Sequence, residues 1–239
     1  MSLFFITGTD TDAGKTVATC QLMRSFAAAG KTVVAMKPVA SGCIWQDGEL
    51  VNIDAQAHAA AANVTVDQHI ANPYRFEPPI SPHLAARAAG VEVSLPHLLD
   101  CAQGLQRAAD VVLIEGAGGW YAPLTDTLTM ADLAVEFAAP VILVVGMKLG
   151  CLNHARLSAE AIIARGLPLA GWIANRLDPD MACYAENMDY LRAQLPAPLL
   201  AEIPHQPAAL QGALPAVVAR KLLNAPEHQP VVVSQSQYG

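Results

Sequence analysis

Short, almost uninterrupted apolar runs alternate along this chain with longer segments of helical periodicity. Leu3-Phe-Phe-Ile-Thr7 is the first such run, and its length and flanking glycine predict a buried strand. A glycine-bounded loop then leads to a helix over about 15–29, ended by Gly30. Thr32-Val-Val-Ala-Met-Lys37 predicts a second strand, and a long connection over 38–53 precedes an alanine-rich helix from about Asp54. The segment 72–82 is proline-rich and predicts a loop. Ser94 suits the N-cap of a helix reaching about Ala109, with Pro96 tolerated in its first turn. Val111-Val-Leu-Ile-Glu115 predicts a strand that runs straight into Gly116-Ala-Gly-Gly119. Pro140-Val-Ile-Leu-Val-Val-Gly146 predicts the next, followed by a helix over about 152–165. Leu169-Ala-Gly-Trp-Ile-Ala-Asn175 repeats the scheme, with a helix over about 180–194 and a last short strand near 199–203.

Strands alternating with helices of this length imply βαβ units and right-handed crossovers. The expected fold is therefore α/β, a mostly parallel sheet flanked by helices, with its ligand at the carboxyl ends of the strands. At 239 residues the chain suits one large core, expected over 1–223. Beyond Pro204 the periodicity fades, and 224–239 is expected to be a loosely held tail.

Composition narrows the function. Hydrophobic residues make up 53% of the chain and charged ones 15%, a balance that suits a sheet covered on both faces. A formal charge of −7 would repel nucleic acid and anionic lipid, so neither is an expected partner. The first ten residues hold no basic stretch and only a five-residue apolar run, and no segment approaches a membrane span, so a cytoplasmic protein is expected. The five cysteines, at 20, 43, 101, 151 and 183, lack the spacing of a disulfide framework or a thiolate zinc site and read as free, mostly buried thiols. The seven histidines show no ligand pairing and read as surface or core filler.

The chemistry concentrates in a few places. Gly8-Thr-Asp-Thr-Asp-Ala-Gly-Lys-Thr16 follows the first strand and opens the first helix, the context a phosphate loop requires. Backbone N–H groups of the turn and of the helix start point at one space, Lys15 can reach the β and γ phosphates, and Thr16 can offer its hydroxyl to Mg²⁺. The nucleotide is thus expected against Asp12, Ala13, Gly14, Lys15, Thr16 and Val17. Five residues separate Gly8 from Gly14, where the general motif has four. Mg²⁺ also needs one or two carboxylates. Glu115, bordering Gly116, Ala117 and Gly118, has the position of a Walker-B acid; Asp54 is the other candidate, although an acid at a helix start, taken alone, reads rather as an N-cap. Lys37 either faces the ligand crevice or is a snorkelling edge residue.

Taken together, the loop 7–16, Lys37-Pro-Val-Ala-Ser-Gly42, Glu115-Gly-Ala-Gly-Gly-Trp120, the strand 140–146, Lys148-Leu-Gly-Cys-Leu-Asn-His154 and Ala170-Gly-Trp-Ile-Ala-Asn175 resemble the dethiobiotin synthetases. The resemblance covers about residues 1–204, and the five-residue gap in the loop is that family's form. It implies a phosphate-loop NTPase fold and an enzyme that makes the ureido ring of dethiobiotin from diaminopelargonate, CO₂ and ATP, through a carbamate and a carbamic-phosphoric anhydride. It implies that Lys15 and Lys37 are catalytic, that Thr16, Asp54 and Glu115 surround Mg²⁺, and that Ser41 helps hold the diamine. Asn175 is matched to adenine recognition, with Arg176, Pro204, His205 and Gln206 beside it. It also implies a homodimer in which Gly150, Cys151, Leu152 and Asn153 reach the substrate carboxylate of the other subunit; on its own, that segment also reads as an ordinary helix start capped by Asn153.

Two rival classes stand beside this reading, one sharing such a sheet and one using related ATP chemistry. A partner-regulated ATPase switch carries a signature lysine early in a K-G-G-x-G-K-[ST] loop, where Asp10 stands here. A cobyrinate-type amidation enzyme needs a glutaminase domain, for which 239 residues leave no room. A module that merely binds nucleotide is the remaining alternative, separated from the synthetase by whether phosphate release depends on the diamine.

Overall fold

The structure is a computed structural model and describes residues 1–206 and 208–224. Strand β1 (Ser2–Gly8) leads through the phosphate loop into α1 (Lys15–Ala28), and β2 (Val33–Met36) follows. The long connection expected over 38–53 contains β3 (Val39–Ala40) and a small antiparallel hairpin, β4 (Ile44–Gln46) and β5 (Glu49–Val51). Next come α2 (Ile53–Ala61), the single turn α3 (Gln68–Ala71), β6 (Tyr74–Arg75), α4 (Pro82–Ala88) and α5 (Leu95–Ala108). The second half alternates regularly: β7 (Val111–Gly119), α6 (Met130–Glu136), β8 (Val141–Met147), α7 (Cys151–Ala164), β9 (Leu169–Arg176), α8 (Tyr184–Gln194) and β10 (Leu199–Ile203), with α9 (Ala216–Leu223) closing the described chain.

Six strands form one sheet in the order β10-β9-β8-β1-β7-β2, every pair parallel. Both faces are covered, which is why the strands are continuous apolar runs rather than alternating ones. Alternation decides the layer: Phe4, Ile6, Val111, Leu113, Ile142 and Val144 pack with Ala18, Leu22, Phe26 of α1 and Val218, Leu222 of α9. Phe5, Val112, Ile114, Leu143 and Val145 pack on the opposite face with Leu98 and Leu105 of α5, Leu133 of α6 and Ile162 of α7. Each buried Val, Leu, Ile or Phe among them contributes about 1.5–3 kcal/mol by leaving water.

Several expectations are corrected. β7 does not end at Glu115 but continues through the glycines to Gly119, paired with Gly8. The 72–82 loop contributes the short β6, which pairs with β3. Helices α4 and α6, absent from the periodicity reading, exist because local signals start them: Pro82 sits in the first turn of α4, and Thr129 and Asp132 form a reciprocal capping box on α6. The fading pattern after Pro204 still contains α9, whose Val218, Ala219 and Leu222 dock on α1. Helix α7 begins at Cys151, with Gly150 at its cap in the left-handed region (φ 96°) and no side-chain cap. Asn153 is therefore an exposed residue inside the helix and not its cap. The tail expected over 224–239 falls, from residue 225 onward, outside the described residues.

Candidate active site

The site lies where β1, β2 and β7 end. The register pairs Met36 with Ile114, so Lys37 and Glu115 are the next positions on adjacent strands. Ala35 and Leu113 point toward α1, and the period of two returns Lys37 and Glu115 to that same face. There they meet the start of α1 and one side of α2. Lys37 Nζ lies 2.7 Å from Glu115 Oε1 and 2.8 Å from Asp54 Oδ2. The Thr16 hydroxyl donates to the same Glu115 Oε1 at 3.0 Å. Lys37 is thus a buried residue (5% exposed) bound to two carboxylates, which removes the snorkelling-edge reading.

The N-cap reading of Asp54 is also overturned. Asn52 caps α2, its Oδ1 accepting from the Asp54 and Ala55 N–H groups at 3.0 and 3.3 Å. Asp54 is left with its carboxylate free to face Lys37.

The phosphate loop is shaped by backbone constraint. Gly14 has φ 90°, and a Cβ there would lie 1.9 Å from Asn175 Nδ2, so both its conformation and its neighbour demand glycine. Asn175, at the end of β9, donates through that Nδ2 to the Ala13 carbonyl at 3.1 Å. Lys15 folds over the loop, donating to the Asp10 carbonyl at 3.2 Å. The cleft in front of these groups measures about 350 Å³ and is lined by Asp12, Gly14, Lys15, Thr16, Lys37, Ser41, Asn52, Asp54, Glu115, Ala117 and Gly118, among others.

The electrostatics follow from burial and from this clustering. Burial, aided by the nearby Lys37 charge, lowers Lys15 to about 8. Burial also works against the Lys37 ammonium, but Glu115 and Asp54 outweigh it and hold Lys37 above its ordinary value. Glu115 is fully buried, which opposes its ionisation, yet Lys37 and His58 keep it well below the usual carboxylate range. The site therefore holds a charged lysine against an ionised Glu115, with the Asp54 carboxylate at 2.8 Å on the same ammonium.

The structure gathers the loop residues, Lys37, Ser41, Asp54 and Glu115, and leaves other expected residues apart. Ala13 is buried behind the loop, Val17 packs into the α1 layer, and Gly116 is buried on β7 beside Phe5. Arg176 at the end of β9 stacks its guanidinium 4.5 Å from the Tyr184 ring and donates to the Pro179 carbonyl at 2.7 Å. Pro204, His205 and Gln206 are exposed beyond β10 and do not line the cleft. Gly150, Cys151, Leu152 and Asn153 stand at the start of α7, likewise outside it, with Leu149 before them 95% exposed.

Two contributors escape a reading of the sequence. His58, which reads there as filler, bonds Glu115 Oε2 through Nε2 at 2.8 Å; the available signal is its i+4 spacing from Asp54 on α2. Asn72, just after α3, donates through Nδ2 to the Lys37 carbonyl at 2.7 Å, while Lys37 N–H donates to the Ala71 carbonyl at 2.7 Å. The backbone that carries Lys37 is thereby held from both sides.

Comparison with known proteins gives the family. A family model described as an AAA domain matches residues 3–211. The chain is 48% identical over 205 residues to the ATP-dependent dethiobiotin synthetase BioD of Nitrosospira multiformis, covering 84% of this chain and 88% of that one. It is 47% identical over 219 residues to the same enzyme of Aromatoleum aromaticum, covering 92% of this chain and 96% of that one. The chain belongs to the dethiobiotin synthetase family. Among solved structures it is similar to the septum site-determining protein MinD of Pyrococcus horikoshii OT3 complexed with Mg-ADP, at 20% identity and a TM-score of 0.51, covering 94% of this chain and 90% of that one. MinD of Aquifex aeolicus is similar at 15% identity and a TM-score of 0.55, covering 94% of this chain and 98% of that one. These two likenesses are of fold, that of the phosphate-loop NTPases; the close relatives are the dethiobiotin synthetases, and the ATPase-switch reading falls away. No helix among the described residues is long and apolar enough to cross a membrane.

Proposed function

We propose that this member of the dethiobiotin synthetase family converts diaminopelargonate, CO₂ and ATP into dethiobiotin, ADP and phosphate in the cleft between the phosphate loop and Lys37. The observation that supports this reading best is the convergence of Lys15, Thr16, Lys37, Ser41, Asp54 and Glu115 on one cleft of about 350 Å³. ATP would lie along the loop with its phosphates against the backbone N–H groups at the start of α1 and its γ-phosphate near Lys15.

Thr16, Asp54 and Glu115 would hold Mg²⁺. Their donor set fits, since two carboxylates and a hydroxyl are hard oxygen ligands that leave room for phosphate oxygens. A cation already stands among them, the Lys37 ammonium, as expected of a local field that favours positive charge. When bound, the metal supplies neutralisation of the phosphate charge.

The remaining work falls to the chain. Ser41, on the cleft wall, would position the diamine. One amine takes up CO₂ to become a carbamate, and the carbamate oxygen attacks the γ-phosphorus. The ADP oxygen leaves, and the second amine then closes the ring on the carbamic-phosphoric anhydride, releasing phosphate. Two anions must meet in the middle step, and Lys15 and Lys37 neutralise the carbamate and phosphoryl oxygens. Asn175, already against the loop, would extend toward the adenine, with Arg176 and residues 204–206 further along. The start of α7 and the exposed Leu149 would face a second copy of the chain and offer the substrate carboxylate a helix N-terminus. Five free thiols suit the reducing cytoplasm.

Incubation with ¹³C-labelled bicarbonate, MgATP and diaminopelargonate, followed by mass spectrometry, tests the reading. Dethiobiotin carrying one ¹³C is expected; ATP hydrolysis with no labelled ureido product would overturn it.

A further inference from the structure

We infer that His58 is a positioning residue: its imidazole fixes the Glu115 carboxylate so that a single oxygen faces the metal. The inference rests on the reading of Glu115 as a metal ligand.

Glu115 is wholly buried, and its two oxygens have separate surroundings. Oε1 faces the cleft, with Thr16 Oγ1 at 3.0 Å and Lys37 Nζ at 2.7 Å. Oε2 is turned toward α2, and the one hydrogen-bond partner found for it among the described residues is His58 Nε2 at 2.8 Å. The terminal torsion of a glutamate is broad and nearly two-fold, so a carboxylate bonded through one oxygen alone can swing. A partner on Oε2 removes that freedom and keeps Oε1 directed at Thr16 and Lys37.

The chemistry of the carboxylate identifies the donor. Glu115 is held ionised and a carboxylate only accepts, so His58 Nε2 carries a proton and donates it to Oε2. Hydrogen-bonded partners of this kind behind a ligating carboxylate orient it, and their loss typically weakens metal binding or activity. Helix α2 is well placed to carry both groups, because Asp54 and His58 lie one turn apart. A single rigid helix, capped by Asn52, thus presents one carboxylate to Lys37 and the ring to Glu115. A cavity of about 330 Å³ that His58 also lines gives a replacement side chain room.

The test is Mn²⁺ binding to the full-length protein with ADP, followed by electron paramagnetic resonance and compared with melting temperature. His58→Leu keeps the volume and removes the donor, and is expected to bind Mn²⁺ on the order of 10- to 100-fold more weakly. His58→Gln places an amide nitrogen near the position of Nε2 and is expected to recover most of the affinity. Wild-type Mn²⁺ affinity in His58→Leu, beside a weakened Glu115→Gln control, would overturn the inference. Equal weakening of the Leu and Gln variants, both melting like the wild type, would do the same. Should His58→Leu fail to fold, His58→Asn, whose amide falls short of Glu115, replaces it: tight binding by Gln and weak binding by Asn is expected, and equal affinities would overturn the role. Unchanged Mn²⁺ binding in Glu115→Gln would instead remove the metal assignment itself, and the inference with it.

Discussion

Lys37 Nζ stands 2.7 Å from Glu115 Oε1, Lys37 just past the end of β2 and Glu115 on the neighbouring parallel β7, both side chains buried at the wall of the cleft. Burying such a pair is costly, and removing one partner from a buried pair costs about 3–5 kcal/mol because the other charge is stranded. The pair is therefore poor stability design and good site design. It keeps a cation beside the carboxylates of Asp54 and Glu115, in the cleft that the phosphate loop also lines.

Lys37 is expected to act on phosphoryl transfer more than on ATP binding. Lys15 belongs to the loop and is expected to meet phosphates whenever nucleotide is present, whereas Lys37 is expected to meet the carbamate and γ-phosphate only when both are there. Loss of one such contact costs on the order of 3 kcal/mol, about a hundredfold in kcat. Calorimetry and steady-state phosphate release on Lys37→Ala should show near-normal ATP affinity with poor turnover, and Lys37→Arg should recover only part, since a planar fork does not replace a compact ammonium. A Lys37→Ala protein with near-normal kcat would sink the assignment.

Lys15 gives ATP binding a pH signature. Its value is lowered from 10.5 to about 8, so the nucleotide-free protein sheds this proton as pH rises through about 8 while the unfolded chain keeps it to about 10.5. In that window the unfolded state binds more protons, so this group's contribution to stability rises with pH. Triphosphate restores the charge, and ATP binding near pH 9 is expected to take up close to one proton. Calorimetry in buffers of different ionisation enthalpy measures it, and Lys15→Met should abolish the uptake.

Gly14→Ala should distort the loop. The left-handed φ costs a non-glycine residue of order 1–3 kcal/mol, and the added methyl would collide with the Asn175 amide. Lower stability to urea together with much weaker ATP binding is expected; unchanged values would show that the loop relaxes freely.

Leu149, 95% exposed before the start of α7, is expected to lie in a dimer interface. Sedimentation should find a dimer for the wild type and a monomer with little activity for Leu149→Asp. A fully active wild-type monomer would defeat the shared site.

The sequence displays some of this plainly and hides the rest for physical reasons. The loop is legible because a G-K-T step between an apolar strand and a helix has few other causes, and Glu115 because an acid in a buried strand needs a partner. Helix α6, from Met130 to Glu136, is too short for periodicity to register. The β4–β5 hairpin is exposed and held by the Asp47-Gly48 turn, both residues at positive φ, so no apolar pattern announces it. Asp54 attracts the cap reading that belongs to Asn52, since residues two apart compete for one helix start. His58 and Asn72 are invisible because their partners, Glu115 and Lys37, come from other strands.

The central claim, that this cleft spends ATP on a diamine, is tested most directly by phosphate release with ATP, Mg²⁺ and bicarbonate, with and without diaminopelargonate. Release that depends on the diamine, with one phosphate formed per dethiobiotin, is expected; equal release in its absence would contradict the claim and leave only an ATPase.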